Sequence, residues 1–102
     1  MGDDAGPRRA REGAAVRLSV EECVYWSLVA SLDFCGAIPS RAQWIADLCI
    51  KRDAEQLREE ARVCIEFARV HTNNERRAAW LTLRALCRAA IRAIEAERSG
   101  RR

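Results

Sequence analysis

The chain has little of what interrupts a helix. Five glycines and two prolines in 102 residues argue for long helices rather than a meander of short strands. It also has little of what performs chemistry. His71 is the only histidine, no two cysteines form a C-x-x-C pair, and no glycine-rich phosphate loop occurs. Lysine is nearly absent: Lys51 stands alone among 18 basic residues, and the other 17 are arginine. With so much alanine, that bias fits a GC-rich coding sequence as well as a need for guanidinium forks, so it selects no function. The longest apolar run, around residues 23 to 35, is broken by Ser27, Ser31 and Asp33 and is too short to span a bilayer. No secretory signal is expected in the polar, charged N-terminal stretch, which points to a cytoplasmic or nuclear protein.

What is present is a globular composition, 49% hydrophobic and 32% charged, in a chain of one-domain length. The net charge of +3 is too small to mark a nucleic-acid binder by bulk alone. Residues 1–16 lack a periodic apolar pattern and read as a flexible tail. Their Arg8-Arg9-Ala10-Arg11 run reads as ordinary tail charge, not as an address. Residues 17–98 read as a helical bundle domain, and residues 99–102 as a basic C-terminal end.

Four helices are expected. Ser19 with Glu22 has capping-box spacing, and that helix runs to about Cys35 with Gly36 as a left-handed cap. A second helix begins after Pro39, where Ser40 and Gln43 repeat the spacing, and ends near Lys51–Arg52. Asp53 with Gln56 starts a third, and Asn73 or Asn74 starts a fourth that ends at Arg98 and Gly100. Short connections make this an all-α, compact antiparallel bundle of about four helices. The first helix is apolar around most of its circumference and must be covered on most sides. Tyr25, Trp26, Val29 and Leu32 are therefore a candidate dimer or groove surface. The aromatic residues otherwise read as a shared core, with one or two lining a groove or seam.

The charged face of the third helix alternates in sign at spacings of three and four, so its members find partners locally. Glu60 is the exception: it falls inside the apolar arc and reads as a buried or interhelical acid. The fourth helix differs. Arg84, Arg88 and Arg92 are i, i+4 neighbours of like sign, with Arg77 further up the same face. Residues 75–102 hold eight arginines and three glutamates, a surplus of +5, against −2 for the rest of the chain. That row needs an acid. Glu60, Asp47, Glu21 or Glu22 of the same chain, an acidic protein or second copy, and a nucleic-acid backbone are the three sources. With no aromatic or amide interleaved to read bases, nucleic-acid binding would be shape-driven and salt-sensitive.

No enzyme is expected. Cys64 and His71 lie two turns apart, about 10.5 Å along one helix, too far for a Cys-His pair. His71 suits a helix end. The five cysteines lie 12, 14, 15 and 23 residues apart, without metal-ligand spacing, and read as reduced, buried apolar groups. No catalytic residue, cofactor, metal, membrane contact or small-molecule substrate is expected. The expected role is a protein-protein interaction module, regulatory, accessory or adaptor and homodimeric, for which a viral source would fit. The alternative is nucleic-acid binding through Arg77, Arg84, Arg88 and Arg92.

Overall fold

In the computed structural model the described residues are 18–33 and 38–100. The expected tail over 1–16, the Gly36 cap, Phe34, Cys35 and the last two arginines lie outside them. Four helices follow in order: α1 (Val20–Asp33), α2 (Ile38–Lys51), α3 (Ala54–Val70) and α4 (Asn74–Arg98). The all-α antiparallel bundle expected from the sequence is what the chain forms.

Local chemistry sets most boundaries. Ser19 and Glu22 close a reciprocal box: the Ser19 backbone N–H donates to Glu22 Oε1 at 2.8 Å, and the Glu22 N–H donates to Ser19 Oγ at 3.0 Å. Asp53 accepts from the Gln56 N–H at 3.1 Å, and Asn73 from the Arg76 N–H at 2.9 Å, so both serve as N-caps. The predicted Ser40 cap is a correction. The second helix starts at Ile38, before Pro39, and Ser40 already lies inside it. A proline is accommodated in a first turn, where its missing N–H would have had no partner and its φ suits the helix.

Between α2 and α3 the chain turns within two residues. Arg52 adopts a left-handed conformation with φ 55°. Its N–H donates to the Cys49 carbonyl at 3.1 Å, and the Asp53 N–H donates to the Leu48 carbonyl at 3.0 Å. This is a Schellman ending with arginine where glycine is usual. The left-handed cost is accepted at a residue whose guanidinium reaches Glu97 at 3.2 Å and Glu21 at 3.3 Å, tying α2 to α4 and α1.

Helices α2 and α4 each touch all three others, whereas α1 and α3 do not touch one another. In cross-section the bundle is a diamond, with α1 and α3 at its far corners. The core is built of Ile45, Leu48, Leu57, Leu83 and Ile94 with many small residues, among them Ala42, Ala61, Ala68 and Ala90. Small side chains let the helix axes approach closely. Cys23, Cys49, Cys64 and Cys87, one from each helix, are buried in this core as free thiols.

The aromatic residues depart from expectation. Among the described aromatic residues only Trp80 is buried; Tyr25, Trp26, Trp44 and Phe67 are 59%, 47%, 39% and 38% exposed. They do not form a shared core: Tyr25 and Trp26 face outward on α1, and Trp44 and Phe67 are only partly covered, Phe67 by stacking on Trp80.

Candidate interaction surfaces

Three surface features remain once the core is accounted for. The first is on α1. Its buried stripe is Val20, Cys23, Ser27 and Ala30, all small or slim residues. Its bulky residues point outward: Tyr25, Trp26, Leu28 and Leu32 are exposed, Leu32 at 84%. Tyr25 and Trp26 pack edge to face at 5.0 Å. Val29 is half-buried beside them. An ordinary amphipathic helix buries its large apolar residues, and α1 does the opposite. Ser27 Oγ is buried without a hydrogen-bond partner, while Ser31 Oγ turns back to the Leu28 carbonyl at 2.6 Å.

The second feature is the arginine row. Arg84, Arg88 and Arg92 stand on α4 as a ridge between two grooves. On one side, a groove of about 400 Å³ is walled by Arg58 and Arg62 of α3, with Ile65 and Ile91 in its lining. On the other, a groove of about 460 Å³ runs along Leu18, Ala85 and Ala89. The acids nominated to neutralise the row are engaged elsewhere. Glu60 binds Arg41 at 3.0 Å, Asp47 binds Lys51 at 3.1 Å, Glu21 binds Arg52 at 3.3 Å, and Glu22 caps Ser19. Of the two acids that follow the row on its own helix, Glu95 takes Arg58 at 2.9 Å and Glu97 takes Arg52 at 3.2 Å. Among the described residues, Arg84, Arg88 and Arg92 have no ion-pair partner. Arg77 does not belong with them: its Nη2 donates to the His71 carbonyl at 2.9 Å and fastens the end of α3.

Arg58 and Arg62 escaped the sequence reading of this groove. Arg62 pairs within its helix, with Glu59 and with Glu66 at 2.9 Å, as sign alternation predicts. That Arg58 would cross to Glu95, and that both would flank the row, depends on how α3 docks against α4.

The third feature was not foreseen. Arg41, Trp44, Phe67, His71, Arg76 and Trp80 line a cavity of about 390 Å³ where α2, α3 and α4 meet. Phe67 and Trp80 stack at 4.7 Å, with planes 19° apart. His71, whose backbone N–H caps α3 by donating to the Phe67 carbonyl, lies nearly parallel to Trp80 at 6.3 Å. Glu60, 3% exposed, sits behind the cavity as the interhelical acid expected from its position.

No family model matches the chain, and neither a curated protein nor a solved structure matches it significantly. Among the described residues, no helix is long and apolar enough to cross a membrane, and no group of three or more His, Cys, Asp or Glu side chains is placed to hold a metal ion.

Proposed function

We propose that the chain is a non-enzymatic protein-protein interaction module, a small regulatory, accessory or adaptor protein, which pairs with a second copy through α1. The observation that carries this reading is the inversion of α1, with Tyr25, Trp26, Leu28 and Leu32 outward and Val20, Cys23, Ser27 and Ala30 inward. A contiguous apolar surface with aromatic anchors has the composition of a protein interface core. It costs solvation free energy when uncovered, and a nucleic-acid ligand would not cover it. Sedimentation velocity across a range of concentrations tests the pairing. Self-association is expected in the native chain and loss of it in Leu32→Asp, a change at a position too exposed to disturb folding. A native chain that stays monomeric throughout sinks the homodimer.

A second reading rests on a different observation, the partnerless Arg84, Arg88 and Arg92. Such a row can track the phosphates of a duplex, giving shape-driven binding. It predicts an affinity for duplex RNA or DNA that falls steeply as salt rises, and a weaker affinity with a shallower slope in Arg88→Glu. Salt-independent or absent binding removes this reading and leaves the row to an acidic protein segment.

A further inference from the structure

The geometry points to the cavity between α2, α3 and α4 as a binding site for a small aromatic carboxylate, with its ring on Trp44, Phe67 and Trp80 and its carboxylate on Arg76. The site shares no residue with the arginine row or the α1 surface, so it stands independently of the function proposed above. Nor does it require a reaction: it is a receptor for a ligand, whereas the sequence led only to the expectation of no small-molecule substrate.

The walls are pre-arranged by a buried charge. Both Glu60 oxygens lie 3.0 Å from Arg41 Nη1, and Oε2 accepts from Trp44 Nε1 at 3.2 Å. Burying an ion pair gains little stability over an apolar pair of similar size. Here the buried carboxylate fixes the orientation of two side chains that reach the surface and line the same cavity. A ligand therefore meets an indole and a guanidinium already in place, which lowers the ordering cost of binding.

Ligand chemistry follows from the lining. The stacked Phe67 and Trp80 rings, with His71 nearly parallel and the partly exposed Trp44 beside them, offer flat apolar surface that water covers poorly. The volume falls in the range of small-ligand sites. The charged groups of the lining are both cations. Arg41 is already engaged by Glu60, but the Arg76 guanidinium has no partner among the described residues, and only its backbone N–H is used, by Asn73. A planar fork of donors beside an aromatic wall suits a carboxylate attached to a ring. Trp80 Nε1 is buried without an acceptor, a further sign that polar capacity in this corner is not used up by the fold.

The three tryptophans provide the readout. In a ¹⁵N-labelled full chain, Trp44 and Trp80 report on the site, and Trp26 on α1 is an internal control. Indole-3-acetate is the probe, with indole-3-acetamide as the uncharged control and cyclohexylacetate as the non-aromatic one. Saturable shifts are expected at the Trp44 and Trp80 indole N–H signals and not at Trp26. Both controls should bind about tenfold or more weakly. Arg76→Glu should weaken indole-3-acetate about ten- to a hundredfold, the effect of losing a charge-assisted bond. That variant keeps the helix, since an acid in the first turn of α4 suits its dipole. The inference is overturned by an absence of saturable shifts, by equal shifts at Trp26, by equal binding of the acetamide, or by an unchanged affinity in Arg76→Glu.

Discussion

Four thiols lie in the middle of this bundle, one contributed by each helix. Burial pushes Cys23 up to about 11 from an ordinary 9.0, with Glu22 adding to the effect. Burial and the neighbouring Cys23 push Cys49 up to about 12, against a smaller opposing pull from Arg52. Cys87 is raised further by its hydrogen bond with Cys64 and by burial. Such thiols are packing groups and poor nucleophiles. A thiol held neutral in the fold but free to ionise in the unfolded chain releases its proton on unfolding. Its stabilising effect is therefore complete below about pH 9 and is lost as pH rises towards the folded values. Each thiol costs up to about 1.4 kcal/mol per pH unit across that window. Urea midpoints should fall between pH 9 and pH 11, and Cys49→Ala should flatten part of the decline. A midpoint independent of pH in that interval would contradict the arrangement. That cysteines spread over 64 residues of sequence share one core was visible in their helical phase; which thiol neighbours which was not.

At the scale of the element, helix ends were the most legible feature because capping is local chemistry. The Ser19–Glu22 box, the Asp53 cap and the Asn73 cap each need only a side-chain oxygen and a backbone N–H three residues on. Ser19→Ala and Asn73→Ala should each cost about 1 kcal/mol by urea unfolding. They cap different helices and share no partner, so the double variant should cost close to the sum. A double variant no less stable than either single one would refute independent caps. Ser40 has the same spacing and does not cap, because the helix starts upstream of Pro39 and the serine has become interior. Spacing alone cannot distinguish a cap from a residue inside the first turn. The Schellman ending at Arg52 was equally hidden, since the sequence there lacks the glycine that usually marks it.

For the whole molecule, the diamond cross-section decides what is exposed. Helix α1 sits at a far corner, packed mainly against α2 and less against α4, and it buries a stripe of small residues while its large ones stay outside. Because the side chains that α1 buries are small, its opening should cost less than global unfolding. At concentrations where the chain is monomeric, amide exchange should be faster in α1 than around Leu83 to Cys87 of α4. Raising the concentration into the paired state should slow exchange in α1 selectively. Uniform protection across the four helices would contradict both the corner position of α1 and its role as an interface.

Helical class, the number of helices, most of their ends and the unbalanced charge of the last helix follow from the sequence by itself. Periodicity, breakers and caps act over three or four residues, and the charge surplus is a matter of counting. The prediction of Glu60 as an interhelical acid belongs with these, because an acid inside an apolar arc has to find a partner. Only the tertiary structure decided where that partner lies, that the acids nominated for Arg84, Arg88 and Arg92 are engaged elsewhere, and that the large residues of α1 face outward. It also decided that Trp44, Phe67 and Trp80 form one cavity with Arg76. These depend on the rotation and neighbours of each helix within the diamond. Close packing of small side chains sets those, and no single segment encodes them.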